Sequence, residues 1–307
     1  MAVLHQPQRG ILHHYAYNLT AFEFTNHPDK VAPNVLIIVA GLGDGLLNVP
    51  WIPPLAAELE ASNSDKKPAE RWSVIQPVLR SSYQGWGTSS LDQDVRDLSR
   101  LVTYIRNQPG RVKVVLGGHS TGCQDTLKYL SSDLTGDCAI DGGILQAGVS
   151  DVEAMNLLLG PGELERLCNE IHDEYLTQGR ENEILPPKFR KIAFNTPITA
   201  ARFYSIAKSG GTEDFFSPNL TQKDHERTWA KITKPILVLP GAKDEFVAKT
   251  TDQNKLLQDW KLATKPECFS SLSHVIQGAN HKIDEKSDDG AVDDIVATII
   301  KFLESLN

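Results

Sequence analysis

The chain has 307 residues, 40% of them hydrophobic and 23% charged, and its 31 Lys and Arg against 39 Asp and Glu give a net charge of −8. This apolar content excludes disorder as the main state and suits one large α/β domain or two average domains. The acidic balance argues against nucleic acid as a partner, because sequence-independent phosphate binding needs clustered Lys and Arg.

No segment of the sequence has the length and apolarity of a targeting or membrane segment. The N-terminal residues lack the apolar run of a signal peptide, which is roughly 7–15 residues long. The longest apolar run, residues 35–40, is far shorter than the roughly 20 residues of a membrane-spanning helix. We therefore expect a cytoplasmic protein without a membrane span.

The cysteines of the chain are widely scattered and form no Cys-x-x-Cys pair. They stand at Cys123, Cys138, Cys168 and Cys268. Zinc sites and disulfide frameworks use closer and more regular spacings. We expect neither of them, and no metal or cofactor.

In chain order, the first predicted element is an antiparallel strand over residues 15–24, and short apolar runs then alternate with helical patterns. The runs are residues 35–39, 72–78, 112–116, 142–147 and 235–239. Between them lies an amphipathic helix over residues 91–106, whose apolar positions recur at helical spacing. This alternation predicts βα units on a mostly parallel sheet that is covered by helices on both faces.

The alternation is interrupted once and then resumes. Residues 151–228 carry helical patterns without a core strand, which predicts a helical cap inserted at the carboxyl edge of the sheet. The predicted core domain is therefore residues 1–150 together with 229–307. Within its last part we expect a helix over residues 250–262, a strand over 268–276 and a closing helix over 289–306.

The strongest motif is Gly118-His119-Ser120-Thr121-Gly122, which follows one predicted strand and precedes a helix. In that context Gly-x-Ser-x-Gly is the nucleophile elbow of α/β-hydrolases, with the serine at a strained turn. The alternative is a tight strand-to-helix turn whose serine has no catalytic role. The context favours Ser120 as a nucleophile.

A serine nucleophile needs a histidine base and a carboxylate that fixes the tautomer of that histidine. In this fold the order along the chain is serine, acid, histidine. Asp244 and His281 each follow a predicted strand in that order, which makes them the predicted acid and base. Asp151 is a competing acid, because it lies just past an earlier strand, and its structural alternative is the N-cap of the first cap helix.

The glycine-rich turn Gly41-Leu42-Gly43-Asp44-Gly45 ends the first predicted parallel strand. In such enzymes this turn supplies one oxyanion-hole donor, and the residue after the nucleophile supplies the other. We expect the backbone N–H groups of Leu42 and Thr121 to be these donors. A dinucleotide-binding loop is the alternative, but the spacing is not Gly-x-Gly-x-x-Gly.

Four further residues are candidates for substrate binding. Tyr83 and Trp86 lie on a loop expected to face the site, although aromatic residues there could equally pack under the cap. Asp151 and Glu153 belong to an acidic stretch that is either a solvated face or an entrance favouring cationic substrates. The expected partner is a small-molecule ester.

With these motifs in hand, the chain resembles the α/β-hydrolase fold. More narrowly, residues 41–45, 82–91, 118–123 and 145–151 resemble a fungal hydrolase family that includes intracellular siderophore esterases cleaving fusarinine-type ester bonds. The resemblance implies Ser120, Asp244 and His281 as a catalytic triad and an ornithine-hydroxamate ester as the substrate. The expected function is thus a serine esterase. The alternatives are an acyltransferase, a lipase-like esterase acting on another small ester, and a non-catalytic ligand receptor.

Overall fold

The computed structural model describes residues 7–136, 138–160, 162–190 and 192–306. Its centre is a seven-stranded sheet in the order β1-β2-β4-β3-β5-β6-β7, in which β3 to β7 run parallel and β1 and β2 are antiparallel. The strands are β1 Gly10–Ala16, β2 Leu19–Phe24, β3 Asn34–Val39, β4 Trp72–Val78, β5 Val114–His119, β6 Gly142–Gln146 and β7 Ile236–Leu239. The predicted mostly parallel sheet is confirmed.

Helices cover both faces of this sheet. They are α1 Ile52–Ser62, α2 Leu91–Arg106, α3 Gly122–Ser131, α4 Asp151–Leu159, α5 Glu163–Ile171, α6 Pro187–Arg190, α7 Ala200–Ala207, α8 Gln222–Arg227, α9 Gln253–Ala263 and α10 Ala291–Ser305. One apolar cluster joins α1 and α10 to the sheet, and another joins α2 to its opposite face. Of the helices in the described ranges, none combines the length and apolarity needed to cross a membrane.

The helix α2 begins and ends where its sequence predicts. Ser90 caps its N-terminus by accepting a 3.3 Å hydrogen bond from the Gln93 N–H. Acidic residues occupy its first turn and Arg106 its last turn, which favours the helix dipole at both ends. Its apolar stripe is buried, as the helical spacing indicates.

The first predicted strand is wrong in its extent, because residues 10–24 form a hairpin of β1 and β2 rather than one strand from residue 15. The turn between them passes through Asn18, which has a φ of 57°. Asparagine tolerates this left-handed conformation better than most residues with a side chain. The chain can therefore reverse where the apolar pattern continues.

The predicted strand over residues 268–276 is also wrong. This segment forms two isolated parallel bridges, one with β7 from Ile236 to Phe269 and one just after β7 from Gly241 to Ile276. Between the bridges the Val238 N–H donates to the Ser273 side-chain Oγ at 3.0 Å. A hydroxyl thus takes the place of a backbone carbonyl, and the regular ladder is lost.

The chain between β6 and β7 forms α4 to α8, and the described residues of this stretch add no strand to the sheet. These helices build an apolar cluster of their own around residues such as Leu167, Phe189 and Phe203. Trp86, from the loop after β4, belongs to the same cluster. We use the word cap for residues 151–228.

Candidate active site

Ser120 lies at the sharp turn between β5 and α3. Its φ is 54°, a left-handed value that is strained for a residue with a side chain. A Cβ on Gly118 would lie 2.0 Å from the Gly122 carbonyl oxygen, and one on Gly122 would lie 2.4 Å from the Val39 carbonyl oxygen. Both positions therefore require glycine, and the turn presents the serine side chain above the sheet.

Ser120, His281 and Asp244 form one chain of hydrogen bonds. His281 Nε2 lies 2.8 Å from Ser120 Oγ, and His281 Nδ1 lies 2.7 Å from Asp244 Oδ2. Since a carboxylate only accepts hydrogen bonds, Nδ1 carries the proton and Nε2 accepts from the serine hydroxyl. The histidine and the aspartate are 4% and 6% exposed, which shields this chain from water.

The loop after β7 holds the histidine at several points besides Asp244. The His281 N–H donates to Glu245 Oε2 at 3.0 Å, and the Phe246 ring packs edge-on against the imidazole with 4.7 Å between ring centres. Asp244 is itself fixed, because its Oδ1 accepts from the Phe246 N–H at 3.0 Å. The position of the imidazole is therefore set by packing as well as by the carboxylate.

Gln146, at the end of β6, supports the histidine from behind. Its Oε1 accepts from Trp51 Nε1 at 3.2 Å and from His119 Nδ1 at 2.6 Å, while its Nε2 donates to the His281 carbonyl at 3.3 Å. The Trp51 N–H can only donate and the carbonyl can only accept, which fixes the orientation of the amide. Sequence reasoning missed Gln146, although a polar side chain ending a buried strand was a signal.

His119 is not placed to act as the base. Its ring is 5.0 Å from that of His281 between centres, but its Nδ1 donates to Gln146. Burial, together with the neighbouring His281, holds the pKa of His119 well below its usual value. His119 is therefore neutral and serves as part of the support behind His281.

Leu42 and Thr121 line the same cavity as Ser120 and His281. Among the described residues, neither backbone N–H has a hydrogen-bond partner. Thr121 directly precedes α3, so its N–H lies at the N-terminus of that helix. Both amides are thus available to an oxygen that develops negative charge above Ser120.

The cavity above Ser120, here called the catalytic cavity, has a volume of about 110 Å³. Its apolar wall comes from the cap and adjoining loops: Val149, Ala154, Met155, Leu158, Ile192, Phe194 and Phe246. Its polar wall includes Asp44, Asp151 and Lys282. Lys282 Nζ lies 2.7 Å from Asp44 Oδ1, which fixes this pair on one side. The cavity suits a small, largely apolar substrate group.

Asp151 lines the catalytic cavity but does not contact His281. Its Oδ2 accepts from Gln124 Nε2 at 2.7 Å. Burial, and then the nearby Glu213, raise the pKa of Asp151 to about 7. The N-cap of α4 is Ser150, whose Oγ accepts a hydrogen bond from the Glu153 N–H at 3.1 Å. The alternative role of Asp151 as this N-cap is therefore wrong, and the cap lies one residue earlier.

The other three candidate substrate residues lie outside the described wall of the catalytic cavity. Glu153 accepts from the Thr251 hydroxyl at 3.1 Å and lines a separate cavity. Tyr83 is 49% exposed, and its hydroxyl accepts from the Leu46 N–H at 3.3 Å. Trp86 is buried in the cap cluster and also lines a smaller cavity that borders Leu42 and Thr121.

Metal-binding side chains are not clustered in the described ranges. Among these residues, no three or more His, Cys, Asp or Glu side chains are grouped so that they could hold a metal ion.

Comparison with known proteins finds relatives that match nearly the whole chain. Residues 1–304 match the family described as Protein of unknown function (DUF1749). The chain is 34% identical to UPF0613 protein PB24D3.06c of Schizosaccharomyces pombe, over 96% of this chain and 97% of that protein. It is 29% identical to Fusarinine C esterase sidJ of Aspergillus fumigatus, over 97% of this chain and 96% of that protein.

A solved structure shares the whole architecture. The siderophore hydrolase EstB from Aspergillus fumigatus superposes with a TM-score of 0.80 at 28% identity, covering 98% of each chain. The resemblance to α/β-hydrolases and to siderophore esterases inferred from the sequence is thereby confirmed. The chain has the α/β-hydrolase fold and belongs to the DUF1749 family.

Proposed function

We propose that this protein is a serine esterase that works through an acyl-enzyme. His281 Nε2 removes the proton from Ser120 Oγ as that oxygen attacks the ester carbonyl carbon. The carbonyl oxygen becomes an oxyanion and accepts hydrogen bonds from the Leu42 and Thr121 N–H groups. Asp244 stabilises the imidazolium that forms and keeps its tautomer correct.

The reaction is completed by release of the alcohol and then of the acid. The imidazolium donates its proton to the leaving alkoxide, which leaves an ester of Ser120 with the acyl group. Water then attacks this acyl-enzyme while His281 takes the proton of the water. The oxyanion forms a second time, and its collapse frees the acid and restores Ser120.

The observation that carries the proposal is the continuous hydrogen-bonded chain from Ser120 through His281 to Asp244. A ligand receptor of this fold needs neither a strained serine nor a base aligned with it. The nucleophile–base–orienter arrangement is the geometric signature of covalent acyl transfer. It favours an enzyme over a non-catalytic receptor.

We further propose the ester bonds of a fusarinine-type siderophore as the substrate class. The support is the similarity to proteins named Fusarinine C esterase sidJ and siderophore hydrolase EstB over nearly the whole chain. The apolar wall of the catalytic cavity, interrupted by Asp151 and the Lys282–Asp44 pair, suits a substrate with both apolar and polar parts.

The test is a panel of esters followed by mass spectrometry. It contains cyclic and linear hydroxamate siderophores, a monoacylglycerol and p-nitrophenyl acetate, each with wild-type protein and Ser120→Ala. We expect siderophore hydrolysis by the wild type alone. Preference for the monoacylglycerol would favour a lipase-like esterase. Transfer of the acyl group to an added alcohol in preference to water would favour an acyltransferase.

A further inference from the structure

The glycine-rich loop after β3 carries Leu42, one of the two proposed oxyanion donors. We call residues 41–45 the oxyanion turn. The Asp44 N–H donates to the Gly41 carbonyl at 3.0 Å, which closes this turn around Leu42. Gly43 has a φ of 76°, a conformation that glycine adopts without strain. The direction of the Leu42 N–H therefore depends on how firmly the closed turn is held.

Tyr83 holds the oxyanion turn from the loop after β4. Its backbone N–H donates to the Asp44 carbonyl at 3.0 Å. Its ring packs against Gly45, where an added Cβ would lie 2.1 Å from the ring, and its hydroxyl accepts from the Leu46 N–H at 3.3 Å. Tyr83, which the sequence made a candidate for substrate binding, thus supports the backbone of the turn.

Lys282 holds the same turn from the histidine loop. Its Nζ lies 2.7 Å from Asp44 Oδ1, and the described residues offer neither side chain another salt bridge. Asp44 is only 9% exposed, so solvent screens this pair less than it screens a pair on the open surface. Lys282 directly follows His281. The residue after the proposed base is therefore bound to the residue that closes the oxyanion turn, 238 positions away in the chain.

We propose that Lys282 and Asp44 are positioning residues for the oxyanion hole, an inference that rests on the proposed esterase function. Their ion pair fixes Asp44 relative to the histidine loop. Through the hydrogen bond that closes the turn, it also fixes the Leu42 N–H above Ser120. A shift of about 1 Å in such a group lowers the rate by about a hundredfold. The pair thus keeps the base and one oxyanion donor in a common frame.

The two proposed oxyanion donors differ in how they are held. Thr121 follows Ser120 and directly precedes α3, so the elbow and the helix position its N–H. Leu42 lies in a loop, and its place depends on the contacts that Tyr83 and Lys282 make with Asp44. We therefore expect loss of the ion pair to weaken the Leu42 donor and to spare Thr121.

The first experiment measures kcat and KM with p-nitrophenyl acetate. Lys282→Met should lower kcat by about tenfold to a hundredfold and change KM by less than about threefold, because the lost interaction acts on the transition state. Lys282→Arg should restore most of kcat, since a guanidinium also donates to a carboxylate. Lys243→Met is the matched control: Lys243 pairs with Asp288 on the surface, and its side chain is 54% exposed. Its kcat should equal that of the wild type.

A double variant tests whether the two residues act through each other. Asp44→Leu should lower kcat as Lys282→Met does, and the double variant should lose no more than the larger single loss. If the two losses multiply, or if Lys282→Met raises KM and leaves kcat unchanged, Lys282 acts on the substrate directly. Either result would overturn the proposal.

A ketone inhibitor reports on the oxyanion hole itself. In trifluoromethyl ethyl ketone the carbonyl carbon is attacked by Ser120 Oγ, whose proton passes to His281, and the carbonyl oxygen becomes an oxyanion with no leaving group to expel. In Lys282→Met its Ki should rise by about the factor by which kcat/KM falls. An unchanged Ki would limit the ion pair to a structural role.

Hydrogen exchange separates this inference from the proposed function, because it needs no turnover. It is followed by mass spectrometry of peptides that contain the Asp44 and Tyr83 amides, whose hydrogen bonds hold the turn. Lys282→Met should exchange these amides about tenfold faster, and Lys243→Met should not. If the wild type does not hydrolyse p-nitrophenyl acetate, the esterase proposal fails while exchange still decides whether the pair holds the turn. Unchanged exchange in an active esterase would refute the positioning role.

Discussion

His281 Nε2 lies 2.8 Å from Ser120 Oγ, although 161 positions separate the two residues in the chain. The serine is presented by the strand-to-helix turn after β5, and the histidine by a loop far along the sequence. The folded protein thus aligns the proposed nucleophile and the proposed base before any substrate is present. Such prior alignment is the main entropic advantage of an enzyme over a reaction in solution.

Replacing Ser120 by Ala should abolish ester hydrolysis, because the covalent route is lost and only oxyanion binding remains. In a subtilisin, loss of the nucleophile lowers kcat by about a million-fold. We expect a decrease approaching that size, measured with p-nitrophenyl acetate. The unfolding transition should stay close to that of the wild type, since the substitution removes one hydroxyl. A well-folded variant with unchanged kcat would eliminate Ser120 as the nucleophile.

Asp244→Asn should lower kcat far more than Asp151→Asn. A neutral amide beside His281 Nδ1 favours the wrong tautomer, which costs about ten-thousand-fold in a well-studied triad. Asp151 hydrogen-bonds Gln124 instead of His281, so its replacement should change kcat for p-nitrophenyl acetate by less than about tenfold. Both variants replace a carboxyl group by an amide of the same shape and are matched controls. The opposite ranking would reassign the acid to Asp151.

Gln146→Met should lower both stability and kcat. It leaves the Trp51 and His119 N–H groups and the His281 carbonyl without their common partner. A buried polar group without a partner costs about 1–3 kcal/mol, so we expect a loss of about 2 kcal/mol or more in urea unfolding. Because the histidine loop loses its support, kcat should fall while KM changes little. A variant that is destabilised but keeps the wild-type kcat would limit Gln146 to a structural role.

The meeting of Ser120, Asp244 and His281 was predictable from sequence because each residue follows a local signal. Gly118 and Gly122 identify the elbow, and Asp244 and His281 come in the chain order that this fold requires. These signals survive imprecise element boundaries: the supposed strand before His281 is a loop with two bridges, yet the histidine still lies at the carboxyl edge of the sheet. The order of elements in the fold places His281 at this edge even though the segment before it does not form a regular strand.

The burial of Asp94 and Asp125 was not predictable in the same way. Asp94 lies within an amphipathic helix and Asp125 within the helix after the elbow, where a carboxylate ordinarily faces solvent. Their burial depends on how α2 and α3 pack beneath the cap and Arg202. The spacing of apolar residues within one segment cannot indicate how several segments pack against one another. Trp86 illustrates the same limit, because only packing decides whether it faces the site or the cap cluster.

The buried Asp94 provides a prediction about pH. It is 2% exposed. Burial is the largest influence on its carboxyl group and, with the charges of Asp97 and Glu213, outweighs the opposing Arg202 and raises the pKa from 3.8 to about 7. Between those two pH values the folded protein holds a proton that the unfolded chain has released. The contribution of Asp94 to the free energy of unfolding is therefore fully present below about pH 4 and is lost as the pH rises through 7.

Asp94→Asn should remove this loss of stability with rising pH, because the amide side chain does not ionise. At about 1.4 kcal/mol for each pH unit between the two pKa values, the full cost of ionising Asp94 is at most about 4 kcal/mol. We expect the wild type to lose about 1–3 kcal/mol more than the variant between pH 5 and pH 8, measured by urea unfolding. The Asn side chain can still accept the hydrogen bond that Ser89 donates to Asp94 Oδ1 at 3.3 Å.

Asp92→Asn is the matched control, because that side chain lies in the same helical turn but is 49% exposed. The pH dependence of its stability should follow that of the wild type. If Asp94→Asn loses as much stability as the wild type over this range, another group carries the proton.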